Sequence, residues 1–124
     1  MLNSPFADSA SPATQTRTGN VAASQSYVWA QTWCASDAQT LATDLTNLSI
    51  SFSVNDQPVD SALITKKDVT DNQLSCVQYF VVLSNWTPGN VSVTATLTMN
   101  QPVFDGQAIY APGDYKYEYD IQVS

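Results

Sequence analysis

The ionisable side chains of this sequence decide first which reactions it could catalyse. The chain has eleven Asp and Glu residues but no His. Without His the commonest general base is missing, and the Ser-His-Asp and Cys-His arrangements of hydrolases cannot be built. Glu118 and Asp120 are two residues apart and resemble the paired carboxylates of a glycosidase only in type. Because a solvated strand face explains both acids, we predict that the protein is not an enzyme.

Metal and cofactor sites are not indicated by the remaining acids. Asp56 with Asp60, or Asp68 with Asp71, could offer oxygen atoms to calcium, but neither pair has the spacing of a calcium-binding loop. Aspartate is also a common turn residue, which explains all four. The sequence has no glycine-rich phosphate loop. We therefore predict no cofactor and no bound metal ion.

Aromatic side chains are the remaining candidates for a binding site. Trp86 lies in a predicted turn, and Tyr115 begins a row of tyrosines in the last predicted strand. Flat rings stack on sugar rings, so Trp86 with Tyr110 or Tyr115 would form a site for a carbohydrate or a small ligand. Alternatively, aromatics at period two build the core. In that case Trp29 and Trp33 face the tyrosine row across a sandwich, and Trp86 is the best candidate for exposure.

The two cysteines, Cys34 and Cys76, are about forty residues apart and lack the CxxC spacing of a metal or redox site. With no His, a zinc site is disfavoured further. A single disulfide suits their positions, at the end of one predicted strand and inside another. In the chain-entropy model it would stabilise the fold by roughly 4 kcal/mol, and it would indicate an oxidising compartment. Two buried free thiols are the alternative.

The charge of the chain excludes several classes of partner. Four Lys and Arg against eleven Asp and Glu give a net charge of -7. Such a chain repels nucleic acid and anionic lipid. The longest apolar run, 74–83, is too short to cross a membrane as a helix. We predict no nucleic-acid partner and no direct membrane insertion.

The elements that position these side chains are predicted to be mostly strands. The run 74–83 is rich in β-branched and aromatic residues and is predicted as a central strand covered on both faces. Residues 37–47 are predicted as one short helix with Asp37 as a capping residue. Turn signals every eight to twelve residues, with about seven short strands, indicate an all-β, antiparallel β-sandwich. The main predicted strands are 27–33, 48–54, 62–67, 74–83, 91–99 and 115–123.

The first 26 residues differ in composition from the rest. They are rich in Ser, Thr, Ala, Asn and Gln, with almost no large apolar side chain after Phe6. We predict a disordered polar tether over 1–26, followed by one domain over 27–124. Neither a basic segment nor an apolar segment opens the chain, so we expect no signal peptide here and any export signal to have been lost.

The core from about Tyr27 to Val123 resembles the small immunoglobulin-like β-sandwiches of bacterial extracytoplasmic proteins. The resemblance lies in the segments WCAS, SFSVNDQPV, WTPGNVSVTATL and YAPGDYKYEYDIQV. It implies a secreted or surface-anchored module that spaces, binds or assembles. In antibody domains a tryptophan lies between two cysteines on facing sheets, whereas here Trp33 directly precedes Cys34. A bridge would then join the first strand to the central one.

These observations predict a non-catalytic extracellular or cell-surface module with a structural or protein-interaction role. Its expected partner is another extracellular protein, which would dock most easily on an unpaired sheet edge near Pro58 to Ile64. The alternative is a module that binds a carbohydrate or a small ligand with exposed aromatics. The sequence predicts no particular oligomeric state.

Overall fold

A computed structural model of the chain describes residues 2–5 by their backbone and residues 11–124 with their side chains. Within these ranges, nine strands form two sheets, and two further strands form a separate hairpin. The strands are β1 (Leu2–Pro5), β2 (Thr14–Val21), β3 (Tyr27–Ala35), β4 (Leu48–Val54), β5 (Gln57–Pro58), β6 (Thr65–Asp71), β7 (Leu74–Leu83), β8 (Gly89–Met99), β9 (Val103–Phe104), β10 (Ile109–Tyr110) and β11 (Gly113–Val123). One α-helix, α1 (Ala38–Leu45), and a 3-10 turn at Ser61–Leu63 complete the description.

The two sheets have the strand order of an immunoglobulin sandwich. One has the order β1-β3-β7-β6, and the other has the order β2-β11-β8-β4-β5. Neighbours are antiparallel except at two edges, where β1 runs parallel to β3 and β2 runs parallel to β11. The first sheet thus matches strands A, B, E and D of that fold, and the second contains G, F and C with added edge strands. The predicted all-β, immunoglobulin-like sandwich with one short helix is confirmed.

The core lies between the inner faces of the two sheets. The edge of the Trp29 ring, from β3, packs against Phe52 of β4 and Tyr119 of β11, at centroid distances of 4.8 and 6.1 Å. Trp33 and the tyrosine row of β11 are buried as well. The alternative in which the aromatics form the two inner walls is therefore confirmed.

Cys34 and Cys76 form a disulfide and lie directly opposite each other on β3 and β7. The bridge joins the first predicted strand to the central one, as expected, and both strands are neighbours within the same sheet. Antibody domains instead join their two sheets. The alternative of two free thiols is excluded.

The helix α1 connects β3 of one sheet to β4 of the other. Its cap is Asp37, whose carboxylate accepts a hydrogen bond from the backbone N–H of Thr40 at 2.7 Å, and this bond lowers the pKa of Asp37. Leu41 is buried and fixes the helix to the core. No helix in the described ranges is long and apolar enough to span a membrane.

The prediction of a disordered tether over 1–26 is wrong for residues 14–21. These residues form β2, which pairs with β11 from Thr14 opposite Lys116 to Val21 opposite Val123. As an edge strand, β2 leaves most of its side chains in solvent, so it lacks the apolar alternation of a half-buried strand. Its threonines at period two were the available signal. Residues 1 and 6–10 of the predicted tether lie outside the described residues.

The prediction that the central strand is covered on both faces is also wrong in part. In β7, Val77 and Val81 face the core, whereas Val82 faces outward and is 59% exposed. Next to it, β6 begins at Thr65 and continues to Asp71, so it is shifted relative to the predicted strand 62–67. The bounds of β6 were predicted wrongly because almost all of its side chains are polar and exposed, so no apolar alternation marks the strand.

Candidate functional site

The two ends of the sandwich are built from different connections. One end, here called the helix end, contains α1, the turn at 72–73 and the connection 100–112. The opposite end contains the connections 22–26, 55–56 and 84–88. Because β3 runs from Tyr27 at the opposite end to Ala35 at the helix end, the aromatic candidates are separated. Tyr110 and Tyr115 lie at the helix end, and Trp86 lies at the opposite end, so the predicted site combining them is not assembled.

Trp86 is packed onto the sandwich. Its ring meets Tyr27 edge to face at a centroid distance of 6.1 Å, and it contacts the core while remaining partly accessible. Its indole N–H is buried and finds no hydrogen-bond partner in the described part of the chain. Trp86 is therefore only partly accessible, and one of its ring contacts is already made within the sandwich.

Tyr110 and Tyr115 form a cluster of edge-to-face rings with Trp33, here called the aromatic stack. Tyr110 lies between the two, with centroid distances of 5.1 Å to Trp33 and 6.4 Å to Tyr115. Tyr115 is buried, which raises its pKa, and its hydroxyl donates to the carbonyl of Ala111 at 2.7 Å. Through Tyr110, the aromatic stack packs against the connection 100–112. These rings therefore contact one another and do not form a flat surface on which a sugar ring could stack.

The hairpin formed by β9 and β10 is held together by Asp105. One carboxylate oxygen accepts hydrogen bonds from the backbone N–H groups of Gln107 and Ala108, at 2.8 and 2.9 Å. The other oxygen accepts from the hydroxyl of Tyr110 at 3.2 Å. The carbonyl of Asp105 accepts from the N–H of Ser36 at 2.8 Å. One residue thus fixes the hairpin turn, the aromatic stack and the segment before α1.

Gly106 lets the hairpin turn approach that segment closely. Its φ is +103°, in the region that favours glycine. A Cβ atom at this position would overlap the hydroxyl of Ser36. The sequence Asp105-Gly106 is therefore required by the contact as well as by the turn.

A buried carboxylate lies beside the aromatic stack. Asp44 of α1 is only 3% exposed and accepts a hydrogen bond from the indole N–H of Trp33 at 3.0 Å. Burial raises the pKa of Asp44 and the charge of Asp105 adds to this, while the bond from Trp33 opposes it. Asp44 and Trp33 thus link α1 to the stack beneath the hairpin.

The outer face of the hairpin is apolar and exposed. Phe104 and Ile109 lie directly opposite each other, and they are 51% and 65% exposed. Their neighbours Val103 and Tyr110 point inward, where Val103 is buried and Tyr110 joins the stack. The predictions missed this pair, although two apolar dipeptides around Asp105-Gly106 are a hairpin signal.

Two clefts flank the hairpin. The first has a volume of about 370 Å³ and lies between the hairpin, the end of β3 and the turn at 72–73, with Asp71 and Asp105 among its lining residues. The second, of about 350 Å³, lies between the hairpin and α1, and Phe104 forms part of its wall. In the described residues, no group of three His, Cys, Asp or Glu side chains could hold a metal ion.

Comparison with solved structures identifies similar folds. PbICP-C, solved in complex with falcipain-2, superposes with a TM-score of 0.58 at 12% identity, covering 100% of both chains. The cysteine protease inhibitor EhICP2 from Entamoeba histolytica gives a TM-score of 0.41 at 7% identity, covering 90% of this chain and 96% of the inhibitor. The second Ig domain of the mouse polymeric immunoglobulin receptor gives 0.32 at 13% identity, covering 90% and 97%. No protein-family model and no curated protein matches the chain.

At 12% identity, the likeness to PbICP-C over the whole chain shows the fold and nothing finer. It agrees with the strand order of the two sheets and gives no support to the bacterial origin that the sequence resemblance implied. The chain has an immunoglobulin-like β-sandwich fold with an internal disulfide in one sheet.

Proposed function

We propose that this protein is a non-catalytic extracellular module that binds another protein through the β9–β10 hairpin at the helix end. The observation that carries the proposal is the pair Phe104 and Ile109, held in solvent on one face of a hairpin whose other face is anchored. Large apolar side chains on a protruding element are typical of a surface that becomes buried in a complex.

The energetic argument rests on what the hairpin gains in a complex. Fully burying a Phe or Ile side chain stabilises by about 1.5–3 kcal/mol, so a partner that covers both half-exposed residues gains a substantial part of this. The hairpin is already fixed by Asp105 and by the stack on Trp33. Binding therefore loses little conformational entropy. Anchors on a rigid base are the residues that usually dominate interface energies.

Other surfaces support the proposal less well. The expected docking edge near Pro58 to Ile64 contains only a two-residue strand, β5, followed by a 3-10 turn. Few backbone groups there are available for strand addition. Leu63, in the 3-10 turn, and Val82, on β7, are also exposed, but the pairing of β6 with β7 begins at Thr65 opposite Phe80 and does not join them as the hairpin joins Phe104 and Ile109.

The compartment and the class of ligand follow from the same features. The disulfide supports an oxidising compartment, and hence an extracellular or cell-surface location. The complete absence of His supports a role without catalysis. The carbohydrate alternative is not proposed, because Trp86, Tyr110 and Tyr115 are all packed against other rings.

Inhibition of a cysteine protease is a second candidate function. It is supported by the likeness over the whole chain to PbICP-C, which was solved in complex with falcipain-2. Titrating falcipain-2 with the purified chain, while following cleavage of a fluorogenic peptide, tests it. Stoichiometric inhibition that is lost in the Phe104→Ser/Ile109→Ser variant supports both protein binding through the hairpin and protease inhibition. Full protease activity at a saturating concentration of the chain rejects falcipain-2 as a target.

The broader proposal is tested with a random peptide library displayed on phage and selected against the whole disulfide-bonded chain. Selected peptides mark the surface that binds protein most readily. We expect most enriched peptides to bind the wild-type chain and to lose at least tenfold in affinity for Phe104→Ser/Ile109→Ser, about 1.4 kcal/mol.

The matched control is Leu63→Ser/Val82→Ser, which removes the other two large apolar side chains that are exposed among the described residues. We expect this variant to bind the peptides as the wild type does. Enriched peptides that bind both double variants equally well, or that lose affinity only for the control, would overturn the proposal.

A further inference from the structure

We propose that the partner surface is basic, with Lys or Arg side chains surrounding the apolar hollow that receives Phe104 and Ile109. This inference rests on the proposed function and specifies the chemistry of the partner. It is carried by the distribution of charge around the hairpin and by the shape of the cleft beside it.

The surface around the hairpin is acidic. All four Lys and Arg residues of the sequence lie within strands, and none of them lines either cleft beside the hairpin. The acids that line the two clefts are Asp44, Asp71 and Asp105. The charge of Asp105 also reaches the buried carboxylate of Asp44. A basic partner therefore finds a complementary field here, and an acidic one is repelled.

The first cleft suits a basic side chain in particular. Asp71 and Asp105 are its acidic lining residues, and Tyr110, which is partly accessible, is an aromatic one. A guanidinium group binds a carboxylate through charge-assisted hydrogen bonds, and it is also attracted to the face of an aromatic ring. The cleft opens beside the hairpin, so an Arg or Lys next to an apolar residue of the partner reaches both features at once.

Two properties of the selected peptides test the inference. Among peptides that depend on Phe104 and Ile109, we expect Arg and Lys to be enriched over the unselected library, next to an aromatic or aliphatic residue. We also expect their dissociation constants to rise as sodium chloride is increased, because salt screens partly exposed charge pairs.

Charge reversal locates the effect. Asp71 is exposed and lines the first cleft, so Asp71→Lys is expected to weaken peptide binding roughly fivefold or more. Gln107→Lys, in the same lining, is expected to act in the same direction. Asp120→Lys is the control, because it makes the same charge change at an exposed position of β11 outside the cleft. Thermal unfolding of each variant shows that it is folded.

The outcomes separate the two proposals. Peptides that depend on the hairpin but lack basic enrichment and salt dependence would overturn the inference and leave the proposed function standing. An equal loss for Asp71→Lys and Asp120→Lys would also overturn the inference, because the effect would then come from net charge alone. Basic peptides that bind regardless of Phe104 and Ile109 would contradict the proposed function itself.

Discussion

The two ends of this sandwich differ in how their aromatic and apolar side chains are packed. At the helix end, the buried rings of Trp33 and Tyr115 and the half-buried ring of Tyr110 form the stack, and Phe104 and Ile109 of the hairpin are exposed. At the opposite end, the single tryptophan of the connection 84–88 packs back onto the sandwich. The end with more buried aromatics thus presents the more apolar surface.

The comparison shows that a supported loop can keep apolar side chains exposed where an unsupported one cannot. Asp105 accepts the hydrogen bonds of the hairpin turn, and Val103 and Tyr110 occupy the inward face of the hairpin, opposite Phe104 and Ile109. In the connection 84–88, the ring of Trp86 itself packs against Tyr27 and the core. Exposure at the helix end is therefore a property of the local architecture.

The largest expected difference in the free energy of unfolding is between two Trp→Phe variants, one at each end of the sandwich. Trp33→Phe removes the donor to the buried Asp44 carboxylate and leaves a small cavity, and we expect it to lower the free energy of unfolding by about 2–4 kcal/mol. Trp86→Phe removes an N–H that has no partner among the described residues, and we expect a loss below about 1 kcal/mol. Urea unfolding measures both. Equal losses would contradict the contrast between the two ends.

Two glycines sharpen the contrast. Gly106 and Gly89 both have positive φ, but a Cβ would overlap Ser36 only at Gly106 and would meet nothing within 4 Å at Gly89. We expect Gly106→Ala to destabilise by about 1–3 kcal/mol more than Gly89→Ala. It should also weaken the hairpin-dependent peptides, whereas Gly89→Ala should not. A matching loss in both variants would show that backbone conformation alone matters.

The middle of the core provides a third test. Gln31 lies between the two ends on β3, fully buried, and its amide has no hydrogen-bond partner within the described ranges. A buried amide without a hydrogen-bond partner costs free energy, because it loses its hydrogen bonds to water. Gln31→Met replaces it with an apolar side chain of similar size and is expected to stabilise the fold by about 1–2 kcal/mol. A rise in the urea midpoint at unchanged slope confirms this. A lower midpoint would show that the amide is satisfied in solution.

The smallest expected effect is on the pH dependence of stability. The pKa of Asp44 is raised in the folded protein, so its stabilising contribution is present below the unfolded value of about 3.9 and is lost as pH rises through the folded pKa. Asp44→Asn keeps an acceptor for Trp33 and does not ionise. We expect the gain in stability of this variant over the wild type to increase with pH across that range, as followed by thermal unfolding in a pH series. The pKa of Asp37 is lowered, so its contribution to stability is lost as pH falls. Asp37 is present in both the wild type and Asp44→Asn, so its contribution cancels when the two are compared.

Much of the fold could be predicted because most strands alternate between apolar and polar positions. In β8 and β11 the apolar and polar residues alternate along the sequence, and their side chains alternate between buried and accessible in the structure. The helix was identified by its cap at Asp37 and its apolar stripe. The edge strand β2 was missed because its side chains remain in solvent, so that no apolar period marks it.

The site was harder to predict than the fold. A turn position suggested that Trp86 is exposed, but exposure depends on the neighbouring ring of Tyr27, which is about sixty residues away in sequence. Phe104 and Ile109 lie in a segment that looked irregular, because each hairpin strand has only two residues. Their shared exposed face depends on the pairing between them, which single-residue propensity does not contain.

Hydrogen exchange of the whole chain, with and without the tightest selected peptide, tests the central claim most directly. The account predicts protection concentrated in 36–47, 71–74 and 100–112, the segments that surround the hairpin. Protection concentrated in 22–26 and 84–88, at the opposite end, would contradict it.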